Sequence, residues 1–188
     1  MADSSRDSSV PPHMKAWMYC EYERTKQVLK IEESVVLPQL KHAQVLIKLL
    51  ATALNPIDYH RMRSCFKHND FLFPVLFLTG TMLGTLTTPS FDVGGVVMRV
   101  EREVNKFKEG EELYGDIIKD VEHLKQFGSL LAQYTVAEER LLTHKSPNLR
   151  FCEAASLPLA IGTTFGSLKC VGLSHGQSIL VYNQKKDW

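Results

Sequence analysis

Hydrophobic positions along this chain fall into short runs separated by turn-forming residues, and the runs differ in period. Met14–Cys20 (MKAWMYC) is apolar and aromatic, a strand-like composition. Val28–Val36 alternates loosely through Leu29, Ile31 and Val35-Val36 and is bounded by Pro38. Gln44–Ala53 (QVLIKLLATA) carries the clearest pattern. Val45, Ile47 and Leu49 share one face and Leu46 and Leu50 the other, as in a strand buried on both sides. Asn55-Pro56 breaks that strand. Proline suits the first turn of a helix, where its missing N–H costs nothing. Asn55 is a natural cap, and Asp58 adds negative charge near the helix start. A short helix or turn is therefore predicted over Pro56–Arg63, directly after a strand end, where side chains often face a cleft.

Further strands are predicted at Phe91–Val100, Glu111–Asp116, Gly128–Val136 and Leu141–His144. The Gly94-Gly95 pair lies inside an apolar strand and reads as close strand packing, because no Gly-x-Gly-x-x-Gly context surrounds it. Short strands in succession, punctuated by turns such as Lys108-Glu109-Gly110, predict a β-rich, barrel-like domain. The texture changes near Pro147. Phe151–Leu157 looks helical, and Pro158 ends or kinks that helix. Leu159–Val171 reads as a second helix, weakened by Gly162 and Gly166 and stopped by Gly172. Ser178–Asn183 then reads as a short buried strand. Such a strand commonly leads into a glycine-rich turn that holds a dinucleotide phosphate, whereas here Gln184-Lys185-Lys186-Asp187-Trp188 follows.

Length and composition narrow the classes. The 188 residues accommodate one domain, or one domain plus a piece of another. A hydrophobic share of 44% supports a sizeable core. The net charge of +1, with scattered basic residues, gives no support for nucleic acid or an anionic membrane as the main partner. Cys20, Cys65, Cys152 and Cys170 form no CxxC pair and read as reduced thiols. Residues 1–13 lack the apolar core of a signal peptide and the Arg-rich face of a transit peptide, so they read as a short disordered leader. This favours a cytoplasmic protein, with chloroplast association as the alternative. The apolar run Phe71–Leu86 is shorter than the ~20 residues a bilayer requires and is broken by Pro74, Gly80 and Gly84. It is expected as an insert rather than a membrane span.

The ordered run of motifs resembles the medium-chain dehydrogenase/reductase superfamily, specifically its zinc-independent quinone oxidoreductase branch and the plant enone oxidoreductases within it. The matching stretches are MKAWMYCEY, VLKIEESVVLP, QVLIKLLATALNPIDY, FDVGGVV, NKFKEGEELYGD, FGSLLAQYTVAEERLL, and CEAASLPLAIGTTFGSL with GQSILVYN, which cover most of residues 14–183. The resemblance implies a β-rich α+β chain. Residues 14–146 would form a GroES-like, partly open β-barrel of the alcohol dehydrogenase N-terminal type, with an insert near 73–88. Residues 147–188 would form an incomplete start of a Rossmann domain. It also implies NADPH as cofactor and an enone or quinone as the small-molecule partner. Hydride would pass to the double bond of an α,β-unsaturated carbonyl or to a quinone. Three departures stand out. The glycine-rich turn is replaced by Gln184-Lys185-Lys186, so this chain is expected to bind NADPH poorly and to turn over slowly or not at all. Residues 73–88 interrupt the family's segment, and Pro89-Ser90-Phe91-Asp92 stands where the family has Pro-Gly-Phe-Asp. His60 occupies a position where plant relatives often carry Lys. A non-catalytic module that pairs with a full-length relative is the alternative expectation.

The best site candidate is Asn55-Pro56-Ile57-Asp58-Tyr59-His60. By resemblance Asn55 lies near the nicotinamide, Asp58 organises the turn, and His60, beside Tyr59, faces the substrate oxygen. Reducing an enone builds negative charge on that oxygen, which a cation or donor stabilises before a proton arrives. A histidine does this less readily than a lysine at neutral pH, being less often charged. The same six residues also read as a capped helix start with a surface histidine. Thr163 matches a family threonine near the cofactor, and equally a helix hydroxyl bonded to a backbone carbonyl. Cys65 and His68, with His60 nearby, have zinc-ligand types, but no second cluster accompanies them and the spacing reads as chance, so no metal is expected. Asp116, after Tyr114-Gly115, reads as a turn residue.

Overall fold

A computed structural model describes residues 10–19, 24–63, 90–118 and 131–181. The elements run β1 (His13–Met18), α1 (Thr25–Val28), β2 (Lys30–Val36), β3 (Gln44–Ala53), α2 (Pro56–Met62), β4 (Asp92–Val100), β5 (Glu112–Asp116), β6 (Tyr134–Glu138), a 3-10 turn (Glu139–Leu141) and β7 (Leu142–His144). Two helices follow, α3 (Phe151–Ala155) and α4 (Pro158–Cys170). Pro158 begins α4 as well as ending α3, since proline's fixed φ suits a first helical turn.

The strands form an antiparallel five-stranded sheet in the order β6-β3-β4-β5-β7 and a two-stranded sheet of β1 and β2. The segment preceding β6 stitches the two together. Trp17 N–H donates to Leu131 O at 2.7 Å, Gln133 N–H to Lys15 O at 3.1 Å, and Leu49 N–H to Gln133 O at 2.9 Å. The sheet thus curls around its core without closing, which matches the partly open barrel that the resemblance implies.

β3 sits between two apolar layers. Val45 and Ile47 join Phe91, Val93, Val97, Phe107, Leu113 and Leu142 on one side, and Leu46 joins Met14 and Tyr134 on the other. The expectation of two-sided burial holds for this half of the strand only. Lys48 and Leu50 are exposed, Leu50 at 52%, because the second layer ends before it reaches them. Two bulges shift the register between β3 and β4. Gly94 and Gly95 lie beside the second, between Leu49 and Ala51. A Cβ on Gly94 would meet Phe151 O at 3.1 Å, so α3 packs directly on that backbone. A Cβ on Gly95 would lie 2.2 Å from Lys48 O, inside the space of β3 itself. Close strand packing is therefore what this pair provides.

The structure corrects three details. Residues 25–28, the last of which the sequence pattern assigns to a strand, form a helical turn before β2 begins at Lys30. Asn55 does not cap α2 with its side chain; the amide donates elsewhere, as described below. Ser178–Val181 is not a buried strand. It pairs with nothing in either sheet, and Leu180 and Val181 are 89% and 77% exposed. A strand exists only where a neighbour takes its hydrogen bonds, and none of the described strands lies beside it. The leader up to Ser9, the 73–88 insert, Cys20, Cys65, His68, Gly128–Leu130 and Tyr182–Trp188 lie outside the described residues. Cys152 and Cys170 are free thiols. Among the described residues, no helix is long and apolar enough to cross a membrane.

The packing at the glycine pair gives a stability prediction. Gly95→Ala forces β3 and β4 apart and costs about 2–3 kcal/mol. Gly162→Ala, on α4 with open space around it, gains up to about 1 kcal/mol from helix propensity. Urea unfolding of both variants checks the pair of signs, and equal effects would contradict the packing described.

Candidate functional site

The ends of β3, α2, β4, β5 and α4 meet around a set of buried polar groups. Asp58, in the first turn of α2, is 2% exposed. Its Oδ2 accepts the Asn55 N–H at 2.7 Å and its Oδ1 the Ser90 N–H at 2.6 Å. One carboxylate thereby fixes the start of α2 and the approach to β4. This follows from chemistry: helix starts leave orphan N–H groups, and an acidic side chain satisfies them at the favourable end of the dipole.

Ser90 is fully buried and has φ of 80°, a left-handed conformation that favours glycine. Its hydroxyl lies 2.9 Å from Thr52 Oγ1 and donates to Ala53 O at 2.5 Å. Thr52 Oγ1 donates in turn to Asp92 O at 2.8 Å. A serine is held in a backbone conformation that favours glycine, and local hydrogen bonds offset its cost.

Asp92 opens β4 and is fully buried. Its Oδ2 accepts from Asn55 Nδ2 at 2.9 Å, and its Oδ1 accepts the Leu159 N–H, in the first turn of α4, at 2.9 Å. Asp116 pairs with Asp92 across β4 and β5. Its Oδ1 accepts the Ile118 N–H at 2.9 Å, so it is the turn residue the sequence indicated. It is also a third acid beside Asp92 and Asp58. Burial pushes the Asp116 carboxyl up to about 6; the Ile118 N–H opposes this, and the charges of Asp92 and Asp58 add to it. Burial also raises Asp92, against the opposing bonds from Asn55 and Leu159. Among the described residues, no group of three or more His, Cys, Asp or Glu is arranged to hold a metal ion.

The structure brings Asn55, Asp58, Tyr59 and His60 together on one short helix start. Tyr59 is 46% exposed; its phenol oxygen accepts from Arg63 Nη1 at 2.8 Å, and the Arg63 guanidinium lies 5.4 Å from its ring centre. The His60 ring stands edge-on to it, 5.8 Å between centroids, and is half-buried. Thr163 is exposed on α4, one turn beyond Leu159, and no hydrogen bond joins it to Asn55. Its carbonyl accepts from Ser167 Oγ at 2.8 Å. Sequence reasoning missed Asp92 and Ser90 as partners of Asn55 and Asp58. The available signal was the Pro-Ser-Phe-Asp segment itself, where an acid opens an otherwise apolar strand.

The acid cluster fixes the sign of a pH effect. The native state keeps a proton on Asp116 up to about pH 6, whereas the unfolded chain loses it in the ordinary carboxylate range near ~4. Stability therefore falls as pH rises through that interval, and the penalty is fully present above it. Asp116→Asn retains the acceptor for Ile118 N–H. It raises stability at pH 7.5 by about 2 kcal/mol and flattens the gain seen on acidifying to pH 5. Urea unfolding at the two pH values measures this; an unchanged slope would show that Asp116 is not the source.

The model of the alcohol dehydrogenase GroES-like domain matches residues 41–147. The chain is 46% identical to 2-methylene-furan-3-one reductase of Solanum lycopersicum, covering 96% of this chain and 43% of that protein. It is 45% identical to the chloroplastic NADPH-dependent alkenal/one oxidoreductase of Arabidopsis thaliana, covering 94% and 42% respectively. Among solved structures, the quinone oxidoreductase from Coxiella burnetii superimposes with a TM-score of 0.71 at 27% identity, over 87% of this chain and 47% of that one. The chain spans less than half the length of these relatives. On the matched domain, these similarities and the partly open sheet, the chain belongs to the alcohol dehydrogenase GroES-like domain family, among the quinone and enone oxidoreductases of the medium-chain dehydrogenase/reductase superfamily.

Proposed function

We propose that this chain supplies the substrate-facing half of an NADPH-dependent reductase acting on α,β-unsaturated carbonyls or quinones. Residues 14–146 form the GroES-like domain and residues 147–188 begin the dinucleotide-binding domain. The observation that carries this reading is Asp92, whose two oxygens hold Asn55 and the first turn of α4 together. The helix start bearing Asn55, Asp58, Tyr59 and His60 is thereby joined to the helix bearing Thr163. The names of the tomato and Arabidopsis relatives support an enone substrate, and that of the Coxiella relative a quinone. The chloroplastic Arabidopsis relative supports the plastid over the cytosol as its compartment.

The residues fit such a cofactor in kind. Asn55 and Thr163 offer neutral hydrogen-bonding groups on the two elements that Asp92 joins. NADPH, when bound, supplies a hydride to the substrate. Negative charge then develops on the substrate oxygen, and a nearby donor lowers that barrier. Tyr59 accepts from Arg63 and so retains its own O–H for donation to that oxygen. His60, beside it, delivers the proton that completes the reduction. Asp58 accepts from the backbone N–H groups of Asn55 and Ser90 and sets the position of both side chains through the α2 start.

Residues 1–188 contain no Gly-x-Gly-x-x-Gly turn. The expected affinity for NADPH is accordingly weak, and calorimetric titration of the purified chain tests this; micromolar binding would contradict the division of labour. Fusing residues 1–181 to the dinucleotide-binding half of the tomato relative should restore enone-dependent NADPH oxidation. His60→Ala in that fusion should lower kcat by about 100-fold with a smaller change in KM. An unaltered kcat would remove His60 from the mechanism.

A second reading is association with a full-length relative. Ile161 and Phe165 on α4 are 56% and 67% exposed, apolar surface of the kind that drives association. Co-elution with the tomato relative in size-exclusion chromatography is the expected result, and independent elution of two monomers would exclude it.

A further inference from the structure

We propose that Asp92 is a positioning residue: its carboxylate fixes which way the Asn55 amide faces, so that Asn55 Oδ1 is presented as an acceptor for an N–H donor on the ligand. The inference rests on Asn55 being a cofactor-facing residue. An asparagine side chain has two nearly isosteric ends, and its hydrogen-bond surroundings decide between them. Here both neighbours of Nδ2 are acceptors: Asp92 Oδ2 at 2.9 Å and Ala53 O at 3.4 Å. A flipped amide would set its oxygen against both, in a region where Asp92 is fully buried. The carboxylate therefore enforces one orientation at a cost that a neutral neighbour would not impose. No described group donates to Asn55 Oδ1, which leaves it as the acceptor the site offers. An amide N–H on the ligand, such as that of a carboxamide, is the complementary chemistry.

The second oxygen of Asp92 matters equally. Oδ1 is occupied by the Leu159 N–H, so the carboxylate cannot rotate away from Asn55 without orphaning a helix donor. Asp58 from α2 and Asp116 from β5 are the other acids at this junction, and Ser90, Thr52 and Ala53 supply its neutral groups.

Asp92→Asn is the direct test on the 188-residue chain. The new amide has one acceptor, which Leu159 N–H retains, and turns its NH2 group toward Asn55. Asn55 must then flip. In nuclear magnetic resonance spectra, the Asn55 side-chain NH2 protons should exchange at least tenfold faster than in the wild type, while Leu159 N–H protection stays within a few-fold. Unchanged Asn55 side-chain exchange would overturn the proposal. Should the variant not fold, the wild-type chain supplies the same answer. The Asn55 side-chain and Leu159 backbone signals should shift together with the Asp92 carboxyl carbon as pH is lowered, and separate midpoints would overturn it. Neither readout involves NADPH. If the tomato fusion fails to oxidise NADPH while these signals behave as stated, the functional reading fails and the positioning of Asn55 stands.

Discussion

Two buried carboxylates determine how this domain is put together at its functional end. Asp58 and Asp92 cannot be left unsatisfied away from water, so each must find donors. The donors they find are the backbone N–H groups of Asn55, Ser90 and Leu159 and the amide of Asn55. Those four groups belong to the junction after β3, the approach to β4 and the start of α4. Satisfying two acids therefore sets the mutual placement of three segments distant in sequence. Ser90 accepts a strained backbone as part of the same arrangement, and Asp116 accepts a raised proton affinity. Both are local costs of gathering polar groups where strands end, and such costs concentrate at functional sites.

The rest of the domain holds that junction still. β3 is buried on both faces over its first half, so its register against β4 and β6 is strongly specified. Gly94 lets α3 pack closely on β4, and Gly95 lets β3 and β4 approach each other. The curl from β1 through residues 131–133 leaves the sheet open rather than closed. The polar junction lies where β3 ends and β4 begins, and there Tyr59 and Asn55 remain accessible.

Much of this was legible in the chain. The alternation in Gln44–Ala53 located the central strand to the residue, and Asn55-Pro56 located the turn after it. The order of motifs pointed to the family that the matched domain shows. What escaped notice depended on contacts between distant residues. Local pattern made Asn55 a helix cap, whereas Asp92, 37 positions away, claims its amide. Leu50 looked buried because alternation records which face a residue takes, not how far the opposing layer extends. Ser178–Val181 has the composition of a strand, but composition cannot provide the neighbour a strand requires. Asp92 was read as part of a motif rather than as a ligand of two elements, since nothing local distinguishes a buried acid from an exposed one.

The two carboxylates lock β3, β4, α2 and α4 into one cooperative junction. Native-state hydrogen exchange of the wild-type chain, followed at the backbone amides of Asn55, Ser90 and Leu159, tests it most directly. If the account is right, all three open only with global unfolding and share its denaturant dependence. If Leu159 exchanges with the exposed turns of α4 while Asn55 and Ser90 remain protected, the helix is not tied to the site, and the account is contradicted.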